Sequence, residues 1–223
     1  MIKLITTSDG SHSLFNDVLN ETYHSVHGAI QESMHVFIKH GLEYKLQEAS
    51  SPISILEVGF GTGLNALLTL RAAKAHQRKI SYTTIEPHPL SGDLWSKLNY
   101  ASSLGMENDF RKIHESNWAD LIEIHSCFNL LKLCTTLQDV HLPMREFDLV
   151  YFDAFAPSKQ PELWESTVLS KIEQAMRTRG IFVTYCAKGQ LKRDLKELGL
   201  VVETLSGPPG KKEMVRAIKP ELG

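Results

Sequence analysis

The run ISILEV (residues 53–58) passes directly into GFGTGLN (59–65), and no other junction constrains the fold of this 223-residue chain as strongly. An apolar run of strand length reads as a strand buried on both faces. Gly59, Gly61 and Gly63 then allow a sharp turn and let a ligand approach main-chain atoms. ALLTLRAAKAHQ follows with helical character. Strand, glycine-rich turn and helix in that order open a doubly wound α/β sheet.

The rest of the chain keeps this alternation. ISYTTIE is a second strand, CFNLLKLCTTLQD contains a third, EFDLVYFD is a fourth and GIFVTYCA a fifth. PHPLSGDLWSKLNYAS is helical after its prolines, and residues 106–126 read as mostly helical. PELWESTVLSKIEQAMRT is a helix with Pro161 near its first turn, and GQLKRDLKELG is one stopped by Gly199. LVVETLSG and KKEMVRAI, joined by GPPG, predict an antiparallel edge pair. Asp9-Gly10 marks a hairpin turn near the start. Ile30, Met34, Phe37 and Ile38 predict a helix over about 29–40 that Gly41 ends. The expected architecture is a Rossmann-like, mostly parallel doubly wound sheet (51–223) with an N-terminal hairpin-plus-helix extension (1–50) packed on it.

The turn also narrows the ligand. Its order is G-x-G-x-G, not the dinucleotide G-x-G-x-x-G, because Leu64 takes the last place. Glu57 just upstream repels a pyrophosphate but suits a ligand carrying an ammonium and a sulfonium, as S-adenosylmethionine does. Glu86 ends the second strand, where an acid accepts the hydroxyls of a ribose. Asp139, near the end of the third strand region, is placed for an adenine amino group or, equally, for a helix cap. A nicotinamide dinucleotide, or a tight turn with no ligand, remains the alternative at this point.

Asp153 follows the fourth strand in FDAFAPSKQPELW. Ligands of open α/β sheets bind outside the carboxyl ends of the strands. A carboxylate there can accept the hydrogen bonds of an amine, orient it and take up a proton. Phe152 and Phe155 supply an apolar wall, while Pro157 and Pro161 stiffen the loop. A turn cap backed by core aromatics is the plainer reading of the same residues.

These segments together are similar to one family. LEVGFGTGLNALLTL, FDLVYFDAFAPSKQPELW, GIFVTYCAKGQLKRDLKELGLVVETLSGPPGKKEMVRA and TYHSVHGAIQESMHVFI resemble the methyltransferase-domain family of MnmC, a bacterial modifier of tRNA wobble uridine. The resemblance covers nearly the whole chain, most specifically in the DAFAP-x-x-x-PELW block. It implies N-methylation of a 5-aminomethyl group on uridine 34 with S-adenosyl-L-methionine as donor, in a stand-alone form without the family's flavin oxidase domain. It implies cofactor contacts from Glu57, Gly59, Gly61, Gly63, Asn65, Glu86 and Asp139, although Gln138 replaces the glycine before that last acid. Asp153 matches the acid that handles the amine. Cys186 stands where a small serine-like residue is expected and reads as structural.

The net charge of −2 gives no global field toward a polyanion, so the anticodon stem-loop must meet a local patch. Lys188, Lys192 and Arg193, with Lys211 and Lys212, are the phosphate candidates; a solvated helix face explains the first three equally well. Tyr23, Phe155 and Tyr185 are stacking candidates for an unpaired base, and Ser25 and Glu32 belong to a segment that can close over the site. The three cysteines lack metal-site spacing and the ten histidines form no metal pattern, so no metal is expected. No run of apolar residues reaches membrane-spanning length and the N-terminus lacks signal-peptide character, which together predict a cytoplasmic protein. Two rival readings share the fold: an aminopropyltransferase-like or other small-amine transferase, and a non-catalytic tRNA-binding module. A functional link to enzymes that supply the aminomethyl group follows from the resemblance.

Overall fold

The computed structural model describes residues 1–47 and 52–221. The predicted boundary between residues 50 and 51 lies outside the described residues. The chain opens with a three-stranded antiparallel sheet, β1 (Ile2–Thr6), β2 (His12–Asn16) and β3 (Glu21–Thr22), whose first turn is the expected Asp9-Gly10. Helix α1 (Ala29–Ser33) continues through a π-helical stretch, Met34–Glu43, into α2 (Tyr44–Leu46). Asp9 ties the hairpin to this helix. Its carboxylate accepts hydrogen bonds from the Thr7 hydroxyl (2.8 Å), the Ser11 amide (3.0 Å) and the Gln31 amide in the first turn of α1 (3.0 Å).

Gly41 does not end the helix. A Cβ at this position would lie 3.1 Å from Val183 and 3.3 Å from Tyr151, so its glycine serves close approach of helix to sheet. A glycine near the end of an apolar periodic run reads as a stop, and only the sheet beneath it reveals the packing role.

The main body alternates strands and helices: β4 (Ile53–Val58), α3 (Leu64–His76), β5 (Ile80–Ile85), α4 (Gly92–Trp95), α5 (Tyr100–Leu104), α6 (Glu107–Glu115), β6 (Leu121–His125), β7 (Phe128–Leu133), β8 (Phe147–Phe152), α7 (Ser166–Ala175), β9 (Met176–Thr184), α8 (Gly189–Glu197), β10 (Val201–Ser206) and β11 (Glu213–Ile218). They form one eight-stranded sheet in the order β10-β11-β9-β8-β4-β5-β7-β6. The five central strands are parallel. The C-terminal pair closes one edge antiparallel, as expected, with β11 inside and β10 outermost. Residues 106–126 are a correction: α6 stops at Glu115, and β6 pairs antiparallel with β7 at the opposite edge. Leu121 in β6 is 63% exposed, on the outward side with Glu123, so the apolar residues of this edge strand do not follow the alternation that marks a strand in sequence. The helix predicted from Pro161 is broken into a 3-10 turn (Pro161–Leu163) and α7, and Met176 already begins β9.

The sheet is covered on both faces. Along β4, Ile53 and Ile55 join the core under α3 and the 29–46 helix, while Leu56 and Val58 join the core under α7 and α8. That alternation is the period of two expected of a strand. Chain order moves outward from β4 to β5 and β7, then returns to β8 and β9 on the other side. The switch point therefore falls between β4 and β8, and their carboxyl ends open a crevice. Among the described residues no helix is long and apolar enough to cross a membrane.

Candidate active site

The crevice is a cavity of about 850 Å³ at this switch point. Its floor is the glycine-rich turn. Gly59 adopts φ 93°, and a Cβ there would lie 2.7 Å from the Asp153 carbonyl oxygen, so the turn and the DAFAP loop touch backbone to backbone. The Asp153 amide in turn donates to the Val58 carbonyl at 3.0 Å. The Gly61 amide donates to Glu86 (3.0 Å), and the His88 amide donates to the other oxygen of the same carboxylate (2.9 Å).

A layer of buried groups supports the turn from below. His114 stacks on Trp95 with ring centroids 4.6 Å apart, and its Nε2–H donates to the Thr62 carbonyl at 3.1 Å. Burial holds this imidazole neutral, down to about 3. Lys132 is 1% exposed and its ammonium donates to the Ile113 and His114 carbonyls, each at 2.8 Å, at the C-terminus of α6. His24 is also buried, with Nε2 2.7 Å from the Thr62 hydroxyl; burial pushes it down to about 4. Sequence reasoning missed these three because nothing local marks a His or Lys as turned inward.

Asp153 sits in the cavity at the end of β8, where it was expected. Asn65, from the first turn of α3, donates its amide to Asp153 Oδ2 at 2.8 Å. Burial, then the charge of Glu32, pushes the Asp153 carboxyl up to about 7, with the Asn65 hydrogen bond and the charge of Lys211 acting against them. The crowding behind Asp153 is the loop's anchor. The Trp164 indole donates to the Phe155 carbonyl at 2.8 Å and its ring packs on Phe152 at 4.9 Å. Phe155 and Tyr23 meet edge to face at 5.1 Å, forming an aromatic corner of the cavity.

Of the expected site residues, the cavity brings together Tyr23, Ser25, Glu32, Gly59, Gly61, Asn65, Glu86, Asp153, Phe155, Tyr185 and Lys211. The others lie elsewhere. Gly63 lies behind the cavity wall beside His114 and Phe60. Glu57 is fully buried beneath the floor, with the Thr84 hydroxyl donating to it at 2.7 Å. It shares the inward face of β4 with Ile53 and Ile55, so its side chain points under the turn. Asp139 is exposed and accepts from the Thr136 hydroxyl (2.7 Å); Thr136, Leu137 and Gln138 line the cavity instead. Lys188, Arg193 and Lys212 are exposed outside it, and Lys192 is spent on Glu213 at 2.8 Å. Tyr185 has one face occupied, because the Lys211 ammonium lies 3.7 Å from its ring centroid.

Glu57 has its own pH signature. Burial pushes its carboxyl up to about 8 from an ordinary 4.5, the Thr84 hydrogen bond pulls it down and the charge of Asp153 raises it further. The folded state therefore keeps a proton that the unfolded chain releases, and stability falls as pH rises through that window. Denaturant unfolding across pH should show Glu57→Gln gaining on the wild type from pH 4.5 to 8, the interval set by that carboxyl. The gain should be on the order of 1–3 kcal/mol. Parallel curves for the two proteins would show that Glu57 is ionised when folded.

Known proteins place this arrangement. A family model described as S-adenosyl-L-methionine-dependent methyltransferase matches residues 105–220, and the chain belongs to that family. A Leptospira borgpetersenii protein named tRNA 5-methylaminomethyl-2-thiouridine biosynthesis bifunctional protein MnmC is 28% identical over 213 residues, covering 90% of this chain and 32% of that protein. The Cupriavidus metallidurans protein of the same name is 26% identical over 224 residues, covering 96% and 33%. The chain thus spans about a third of the length of these curated relatives. The crystal structure of MNMC2 from Aquifex aeolicus superposes with a TM-score of 0.80 at 25% identity, covering 100% of this chain and 73% of that one. A carbon methyltransferase domain of the citrinin polyketide synthase shares the fold, with a TM-score of 0.51 at 12% identity.

The cofactor of this family is S-adenosyl-L-methionine, and the residues present fit it. Asn65 Oδ1 is a buried acceptor without a partner on the cavity wall, beside a turn whose glycines leave the main chain open to the cavity. An orphaned acceptor there suits a cationic ligand. Glu86 and the Thr136–Gln138 segment after β7 line the same cavity.

Proposed function

We propose that the chain N-methylates the 5-aminomethyl group of wobble uridine 34 in tRNA, in the cytoplasm, to give 5-methylaminomethyl-uridine or its 2-thio form. The observation that carries this reading is Asp153 beside Asn65, in the same cavity as the glycine-rich turn and with its carboxyl raised to about 7. A carboxylate with that affinity for a proton is matched to an amine handled near neutral pH. The names of the relatives, which concern 5-methylaminomethyl-2-thiouridine biosynthesis, support the same substrate.

In this reading the bound cofactor supplies a methyl group on an electrophilic sulfonium. Asp153 accepts the hydrogen bonds of the acceptor amine, aims its lone pair and takes the proton released. Asn65 holds the carboxylate in place. Tyr23 and Phe155 wall the acceptor end and exclude water. Lys188, Arg193 and Lys212 contact phosphates of the anticodon stem-loop from outside the cavity, and the N-terminal segment around Tyr23 and Ser25 closes over its mouth. The aminomethyl group is delivered by a separate modification step.

The test is incubation of the protein with labelled S-adenosyl-L-methionine and tRNA bearing 5-aminomethyluridine. Label should appear in 5-methylaminomethyl-uridine on nucleoside mass spectrometry. Absence of label, with folded protein and verified substrate, would sink the reading.

A further inference from the structure

Asp153 is not alone among carboxylates at the acceptor end. Glu32, 5% exposed and carried by α1, lines the same cavity. The Ser25 amide donates to one of its oxygens at 2.7 Å, and the Lys211 ammonium donates to the other. Lys211 comes from the loop between β10 and β11 and lies against the Tyr185 ring. The Tyr185 hydroxyl donates to the Ala154 carbonyl at 2.8 Å, one residue beyond Asp153. The cation is thereby fixed between Glu32 and the wall that holds Asp153. Glu86, by contrast, is engaged with the Gly61 and His88 amides on the ribose side.

Two carboxylates in one cavity would suit a ligand with two ammonium groups, because each desolvated cation needs its own acid. Lys211 removes one of them from use. We propose that Lys211 is a specificity-determining residue: by pairing with Glu32 it leaves Asp153 to meet the acceptor alone, so the cavity takes a substrate with a single amine and refuses diamines and polyamines. The inference rests on the proposed reading of Asp153 as the amine-binding acid. It also separates that reading from a polyamine transferase on the same fold, whose acceptor carries at least two cationic amines.

The test needs no tRNA. Putrescine and butylamine are titrated by calorimetry into the wild type, Lys211→Met, Lys211→Gln and the double variant Lys211→Met/Glu32→Gln, at mildly alkaline pH so that Asp153 is ionised. The wild type should show no preference for putrescine. Both single variants should bind it roughly ten-fold or more tighter than the wild type does, as one added charge-assisted contact allows. Butylamine should gain only by the lost repulsion of Lys211 and clearly less than putrescine, and Glu32→Gln should abolish the difference between them. A wild type that prefers putrescine overturns the proposal without any variant. Folded Lys211 variants with unchanged putrescine affinity overturn it too, as does a preference for putrescine that survives loss of Glu32. Because tRNA methylation is scored separately, a failure there with the diamine pattern intact would remove the tRNA substrate and leave the single-amine rule standing.

Discussion

Asp153→Asn should lower the rate of methyl transfer by about 10²–10⁴-fold, the range for loss of a positioned general base, while cofactor affinity stays within a few-fold of wild type. The amide keeps the volume of the carboxylate and can still accept from Asn65, which donates at 2.8 Å. What it cannot do is take a proton. The pH profile makes the assignment specific. The active form is the carboxylate, and burial together with Glu32 raises this acid to about 7. Wild-type kcat/KM should therefore fall as pH drops through about 7, where Asp153 protonates. The variant should lack that limb. Single-turnover methyl transfer at saturating cofactor, measured across pH, reads both effects. A variant that transfers methyl at the wild-type rate per bound cofactor, or keeps the same limb, would make Asp153 a structural acid.

The second large effect is expected at the cofactor turn. Gly59→Val should destabilise the protein by about 2–4 kcal/mol and weaken cofactor binding more than ten-fold. Two causes add. At φ 93° a β-branched residue is strained, and its Cβ would come within 2.7 Å of the Asp153 carbonyl oxygen and 3.3 Å of its carbon. Backbone cannot rotate aside as a side-chain end can, so the substitution must push the turn and the DAFAP loop apart. Gly199→Ala is the control: its φ is 83°, but nothing lies within 4 Å of the added Cβ. That variant should lose only about 1 kcal/mol, through backbone conformation alone. Denaturant unfolding and cofactor titration of the two variants separate strain from clash. Equal losses at both glycines would show that the approach of the two loops does not matter.

Much of this architecture was legible in the chain because it is written in local patterns. Strands β4, β5, β7, β8 and β9 are apolar runs of strand length, and the helices between them carry their own periodicity and stops. The glycine order after β4 and the acids after β5 and β8 mark the switch point, because a parallel sheet places every such carboxyl end on one side. The errors fell where the local pattern was ambiguous. Edge strand β6 carries an apolar residue, Leu121, on its exposed side, which breaks the alternation of residue types. Gly41 has the chemistry of a helix stop and the surroundings of a packing contact. Glu57 precedes the turn in sequence, yet the twofold period of β4 turns it beneath the floor.

The sequence by itself determined the five parallel strands, the glycine turn, and the presence of an acid at the end of β8. Tertiary structure alone decided the charge at that acid. Glu32 and Lys211 are separated by 179 positions and reach each other only because the N-terminal helix and the β10–β11 loop converge over one cavity. Lys211 and Lys212 are neighbours with the same side chain, and no local pattern says which points inward. One is clamped between Glu32 and Tyr185 while the other is exposed. Periodicity specifies elements because it acts over a few residues. A buried charge takes its partner and its proton affinity from groups brought close by folding, and those cannot be read from spacing along the chain.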